Sequence, residues 1–356
     1  MNDIREKIIE NTSTIPDREK RVLGGGSAII IMAAALLIAV IVSFRLGRYP
    51  VSVRALFGIL FNRLFPGSVT PFWTQTQEVA VWNVRLPRLM LSVMVGAALS
   101  CAGAVFQAAF QNPMASPDIL GASTGAGFGA ALAILFDLGS GLITASAFAM
   151  SMLTVFLVFF ISSFAKGEKV IGLVLSGIMI SSLFQAGTSF IKLVADPGNK
   201  LPSITYWLMG SLVGATHSEL SFAVVPMIIG FLPLFLMRWR LNVLTMGDDD
   251  ARALGVNPTF IRIAGVSCAT LLTAASVSVS GMIGWVGLVI PHMMRRIVGS
   301  DYRYLLPASA LGGGLFLLLV DDISRCAAQG EIPIGILTAF IGAPFFLFLI
   351  TGRNRQ

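Results

Sequence analysis

The chain alternates between long apolar runs and short polar breaks. A helix needs about 20 mostly apolar residues to cross the ~30 Å hydrocarbon core of a bilayer. Ten segments approach that length: 28–44, 90–110, 119–136, 142–163, 170–194, 220–237, 261–281, 284–299, 305–320 and 333–351. The third, eighth and ninth are short. Two connections exceed what a turn requires. Segment 45–89 contains "VSVRALFGILFNRLF", an amphipathic stretch expected to lie along the membrane surface. Segment 238–258 reads "RWRLNVLTMGDDDARALGVNP" and is expected to be a loop with a short helical piece. A third, 195–219, holds "ITYWLMGSL", too short to span and read as a re-entrant or interfacial helix. Irregular backbone at membrane depth is tolerated only where protein or a watery cavity covers it, which points to a pathway rather than an inert bundle. The expected fold is all-α, a polytopic membrane protein with ten transmembrane helices. Its parts are a tail (1–27), one helical transmembrane domain (28–352) and a short end (353–356).

Composition strengthens this picture. The 356 residues are 55% hydrophobic and only 12% charged, about half the roughly 25% of a soluble domain. Mean hydropathy is +0.83. The net charge of +7 could suggest nucleic acid, but the basic residues punctuate the ends of apolar runs instead of forming aromatic-interleaved patches. With both termini placed inside, 16 of the 25 Lys and Arg fall on the cytoplasmic side, the asymmetry that sets orientation. The first apolar run lacks a small-residue cleavage site and is read as a retained span, not a leader. Cys101, Cys268 and Cys326 lie in or beside apolar segments and are expected to be small core residues. His217 and His292 show no metal or triad partner at useful spacing. No metal, cofactor or catalytic set is expected.

Several polar motifs interrupt the apolar runs. In "QNPMASPDILGASTGAGFG" the prolines end one helix and start the next, and Asp118 is placed to cap the new first turn. Gly121, Gly125 and Gly129 then form a bare helix face, which serves close packing or a moving pathway helix. On the second reading, Gly125→Leu blocks transport and leaves insertion intact. Ser182, Gln185 and Ser189 make a polar stripe that reads as interhelical glue or as a pathway wall. The stretch "GDDDARALGV" is either a solvated acidic loop or a knob that inserts Ala251 and Leu254 into a cytoplasmic partner. Arg85, Arg88 and Arg325 lie at outer span ends, against the topology rule; they are snorkelling anchors or contacts for an acidic partner, and Asp321 and Arg325 can pair at i,i+4. The chain carries no G-x4-G-K-[ST] phosphate cradle, and no carboxylate lies clearly mid-span. Energy for transport is therefore expected from outside the chain.

Six stretches together carry a resemblance. "RLPRLMLSVMVGAALSCAGAVFQAAFQNPMASPDILGASTGAG", "YWLMGSL", "GDDDARALGV", "GWVGLVIPHMMRRIVG", "LLPASALGGGLFLLLVDDISR" and "EIPIGILTAFIGAPFFLFLI" resemble the permease subunits of bacterial iron–siderophore, haem and cobalamin ABC importers. The likeness runs from about residue 30 to residue 351. It implies a ten-span permease in the bacterial inner membrane that pairs with a second, identical or different permease. It also implies two cytoplasmic ATPase subunits and an extracytoplasmic substrate-binding protein. Gly247, Asp248, Ala251, Arg252, Leu254 and Gly255 match the family's ATPase-coupling segment, although Asp249 and Asp250 make this copy more acidic. Arg85, Arg88 and Arg325 match outer arginines that receive glutamates of the binding protein. Ser182, Gln185 and Ser189 fall on the pathway helix. The wording "SPDILGASTGAG" is closer to siderophore permeases than to cobalamin ones; haem, cobalamin and molybdate remain open. The competing class is an ion-coupled secondary carrier.

Overall fold

The computed structural model describes residues 24–352 apart from 48, 50, 166–168 and 328–329; the proposed tail and the end 353–356 lie almost wholly outside the described residues. Among the described residues the regular structure is entirely helical. We number the α-helices in order: α1 Gly25–Arg45, α2 Val53–Leu64, α3 Gln75–Val79, α4 Leu86–Ala109, α5 Ala122–Leu135, α6 Ser140–Ser162, α7 Lys169–Val194, α8 Lys200–Leu208, α9 His217–Leu236, α10 Arg238–Thr245, α11 Asp248–Ala253, α12 Pro258–Ser280, α13 Val286–Val298, α14 Tyr302–Cys326 and α15 Ile334–Gly352.

Each of the ten apolar segments coincides with a helix. Seven helical stretches are long and apolar enough to cross a membrane; Ala122–Leu135 and Ile334–Phe348 are apolar but shorter, and α13 has 13 residues. The ninth segment was expected to be short. It is 25 residues long, because α14 continues through Asp321, Asp322 and Arg325 to Cys326. Two further differences concern the connections. Residues 75–85 are helical, α3 running through a π-helical turn at Ala80–Arg85 straight into α4. Segment 238–258 folds into two helices, α10 and α11. The amphipathic α2 forms where expected, while the short α8 starts four residues before "ITYWLMGSL" and ends within it, at Leu208.

The arrangement is organised around α4, which is buried along nearly its whole length and packed by α14, α12 and α13. Its sequence explains why. "LPRLMLSVMVGAALSCAGAVFQAA" is rich in Gly, Ala and Ser, and small residues let helix backbones approach closely. A Cβ on Gly96 would sit 2.2 Å from the carbonyl oxygen of Gly313 in α14, and one on Gly103 would sit 1.8 Å from that of Gly287 in α13. Around this centre, α5, α6 and α7 pack together as a second group, joined to the first mainly through α12. A separate apolar cluster of Phe44, Leu56, Ile59, Trp73, Val81, Leu89 and Leu318 seats α2 against the starts and ends of α1, α4 and α14.

Two local expectations are corrected. Asp118 does not cap backbone amides. It lies in a 3-10 turn, Pro117–Leu120, where its carboxylate accepts from the hydroxyl of Ser123, and Gly121 in the left-handed region begins α5. Cys101 is buried as expected, but Cys268 is only partly buried and Cys326 is exposed, since α14 ends in the open at that point.

The α4 contacts generate a stability prediction. Gly103→Ala drives a methyl group into the Gly287 backbone, which cannot rotate away as a side chain would, and is expected to destabilise the protein by about 3 kcal/mol. Gly26→Ala, with open space around it in α1, is expected to be neutral. Thermal unfolding of the two variants in detergent checks this.

Candidate functional site

Polar chemistry gathers at the two ends of α4. At its N-terminal end, Arg85 is buried and donates to the backbone carbonyls of Phe44 and Tyr49, closing the C-terminal turn of α1. One turn on, the Arg88 guanidinium serves two carboxylates at once. Its Nε and one Nη reach Asp321 at 3.0 and 2.9 Å, and its two Nη atoms reach Glu331 at 3.1 and 2.7 Å. Asp321, fully buried in α14, also faces Arg325 Nε at 3.3 Å, the i,i+4 pair foreseen from the sequence. Arg325 continues to Asp322 and to Ser43 Oγ, and Ser43 in turn donates to Asp322. The three arginines of the docking expectation are thus brought together, but they are buried and engaged by their own chain. Glu331 is the most exposed carboxylate of the lattice. Arg85, Arg88 and Arg325 were marked by their place in the sequence; Ser43 and Glu331 carried no such signal.

At the other end of α4 lies the acidic knob. Gly247, at φ +121°, starts α11, and three aspartates occupy its first turn, where the helix dipole favours negative charge. The helix ends in a Schellman motif: Val256 N–H donates to Ala251 O at 2.9 Å and Gly255 N–H to Arg252 O at 3.0 Å. Gly255 fills the left-handed position at φ +75°, which a side chain would strain. Ala251 is completely buried within this chain, so it cannot enter a partner's groove as expected. Leu254 can; it is exposed, as are Met246 and Phe260 beside it. Arg252 is also exposed and pairs only with Asp249 at 3.1 Å, a contact worth little in water.

Three residues that drew no attention in the sequence hold the knob in place. Arg262, at the start of α12, is buried and reaches Asp248 at 2.7 Å and the Ala109 carbonyl at 2.8 Å. Its hydrogen bonds hold the Asp248 carboxyl below its ordinary pKa. Asn242 in α10 donates to Asp301 at 2.8 Å and accepts from Tyr302 N–H at 2.7 Å, tying α10 to the start of α14. Asp301 caps that helix and is pulled down to about 2, chiefly by hydrogen bonds from the Arg303 side chain. Arginines and asparagines at helix ends are common, so only the tertiary fold shows which of them reach across.

The pathway residues separate into two groups. Gly125 and Gly129 are buried against α6: a Cβ on Gly125 would meet Thr154 Oγ1 at 2.0 Å, and Ser146 Oγ donates to Gly129 O at 2.8 Å. Gly121 lies against Ser181 and Thr154. The bare face is a packing surface inside the chain and no wall. Ser182, Gln185 and Ser189 do face outward on α7, with the two serine hydroxyls bonded to backbone carbonyls one turn back. Their helix is only about one-third buried. An apolar hollow of about 630 Å³ lies elsewhere, between α8, the α12–α13 break and α15, lined by Leu208, Met209, Met282, Ile336, Phe340 and Pro344.

Comparison with known proteins adds the following. The sequence pattern of the FecCD transport family matches residues 35–352. The molybdate import system permease protein MolB of Haemophilus influenzae is 37% identical over 89% of this chain and 93% of its own length. The cobalamin import system permease protein BtuC of Halobacterium salinarum is 41% identical over 79% of this chain and 75% of its own. A solved structure assigned to a metal-chelate type ABC transporter in an inward-facing conformation superposes with a TM-score of 0.82 at 35% identity, covering 92% of this chain and 99% of that one.

Two predictions follow from the side-chain geometry. Gly125→Leu is expected to lower the amount of folded protein in the membrane together with uptake, because Thr154 and the Met150 backbone leave no space for it; quantitative blotting beside an uptake assay checks this. Asp321→Ala removes the buried carboxylate that Arg88 and Arg325 share, leaving each with one carboxylate partner, and is expected to cost about 3 kcal/mol. Glu331→Gln, at the open edge, is expected to cost less than a third of that, read from unfolding midpoints in detergent.

Proposed function

Because the chain belongs to the FecCD transport family, it is the permease of an ABC importer, and we propose that it conducts a ferric siderophore across the bacterial inner membrane. It does so as one of two paired permeases, identical or different, each with ten spans and both termini in the cytoplasm. An extracytoplasmic binding protein delivers the ligand at the end carrying Arg85, Arg88 and Arg325. Two ATPase subunits grip the opposite end. The chain makes and breaks no bonds of its own; nucleotide hydrolysis belongs to the separate ATPase.

The single observation that carries this reading is the acidic knob. A six-residue helix, capped at both ends by glycines and clamped to the body by Arg262, presents Leu254 and Met246 outward at the end of the molecule away from the arginine lattice. Such a projection has no use in a self-sufficient carrier; it suits a surface through which force enters. When the ATPases close, the two knobs move together, and the helices around the paired pathway exchange an outward for an inward opening. The exposed stripe Ser182, Gln185 and Ser189 on α7 and the hollow beside α15 are the wall surfaces available to the passing ligand. At the outer end, a carboxylate of the binding protein reaches Arg88 by replacing Glu331, the exposed member of its pair. An ion-coupled carrier would need a buried carboxylate free to bind its ion, and Asp321 is already held by two arginines.

The preference for a ferric siderophore rests on the stretch "SPDILGASTGAG" and on the metal-chelate assignment of the superposed structure. Identification by mass spectrometry of the ligand on the co-purified binding protein tests it, with haem, cobalamin or molybdate as the outcomes that replace it. Drive is tested in proteoliposomes. Accumulation is expected to stop with vanadate and to continue with a protonophore. Leu254→Glu is expected to cut ATPase association at least about tenfold, since a charge must then be buried in an apolar groove. Uptake by this chain without any ATPase would overturn the reading.

A further inference from the structure

The residue between the knob and the body is Arg262, which the importer reading uses only as a clamp that keeps the knob in place. Its geometry is specific. The guanidinium is buried at the start of α12. One edge holds Asp248 as a two-pronged pair, with Nη2 2.7 Å from Oδ1 and Nη1 3.3 Å from Oδ2. The third nitrogen, Nε, donates to the carbonyl of Ala109 at 2.8 Å. Ala109 is the last residue of α4, so its carbonyl is one of those a helix end leaves without an internal partner. A second link runs nearby, from Gln111 Nε2 to Leu244 O in α10 at 3.0 Å.

We propose that Arg262 is the positioning residue that locks the coupling helix to the end of α4, so that displacement of the knob moves α4 as a rigid piece. This rests on the reading of α11 as the ATPase contact and adds the route by which its motion enters the bundle. Three features support it. First, the planar fork satisfies α11 and α4 simultaneously, which a lysine's single ammonium on a flexible stem does less well. Second, the pair is shielded on the Arg262 side and therefore stiff, whereas the other ion pair of α11, Arg252 with Asp249, is exposed. Third, α4 is the helix packed by α12, α13 and α14, and its far end is fixed in the Arg88–Asp321 lattice. A helix of 24 residues spans about 36 Å, so a push at Ala109 is delivered at Arg88 without passing through a flexible segment.

The test uses the intact importer, purified through a tag on this chain and reconstituted in lipid nanodiscs and liposomes. In a cysteine-free background, spin labels at Ala253→Cys on α11 and Met114→Cys just beyond α4 report the separation of the two pieces. Wild type is expected to give one narrow distance distribution that is the same without nucleotide and with ATP–vanadate. Arg262→Gln is expected to broaden it, Arg262→Lys to give an intermediate width, and Asp248→Asn to broaden it less than Arg262→Gln. Radiolabelled ferric siderophore accumulated per ATP hydrolysed is expected to fall about tenfold in Arg262→Gln, a typical size for coupling between sites, with partial rescue in Arg262→Lys. An unchanged distribution in Arg262→Gln, or an unchanged ratio of uptake to hydrolysis, overturns the proposal. So does a parallel loss of uptake and hydrolysis in both substitutions of Arg262, which would make it a fold clip. If Arg262→Gln does not accumulate, Asp248→Asn and Arg262→Lys decide by the same two readouts. Should wild type move no ferric siderophore, the substrate reading falls, and the label distances still decide the clasp.

Discussion

In a bilayer, water does not drive helices together, so association depends on how closely their backbones can approach. The helix Leu86–Ala109 meets that constraint at two points. Gly96 lies on Gly313 of α14 and Gly103 on Gly287 of α13, at separations that leave no space for a single methyl group. Everything else is arranged around this contact. α12 closes the third side, α1 and α2 pack over the outer part, and the α5–α7 group is attached through α12. Were α4 held off by side chains, the charged groups at its two ends would not meet their partners.

Charge follows the same helix. Burying an arginine is costly unless its charge is paired, and each end of α4 supplies the pairing differently. At one end Arg88 and Arg325 neutralise Asp321 and Asp322, with Ser43 filling the remaining position. This gives a physical reason for basic residues that contradict the usual charge asymmetry of membrane loops: they balance buried carboxylates of the same chain. At the other end Arg262 joins Asp248 to the open carbonyl of Ala109. The arginine lattice is closed on itself except at Glu331, while the Arg262 clasp adjoins an exposed apolar tip at Leu254.

Much of this was legible in the sequence. Apolar length and polar punctuation placed a helix at each of the ten apolar segments, and amphipathic spacing placed α2, because these are local properties of a chain in contact with its own neighbours. The short helical piece expected in "GDDDARALGV" is present as α11, but it begins earlier than the pattern at Ala251, Leu254 and Val256 suggested, since Asp248, Asp249 and Asp250 form its first turn. Spacing also foresaw the Asp321–Arg325 pair, which lies on one helix.

What the sequence left open were the partners of each special residue. A glycine face at Gly121, Gly125 and Gly129 announces a close neighbour but not which one; only the fold shows α6 against it, with Ser181 of α7 beside Gly121. Ala251 and Leu254 look alike as apolar residues of one short helix, yet the first is buried under its own chain and the second is free. Arg262 was one arginine among many until α12 and α4 came together. Helix formation depends on residues three and four apart, so the sequence alone determined it. Burial and pairing depend on segments that meet across 150 to 280 positions, and only the tertiary structure decided them.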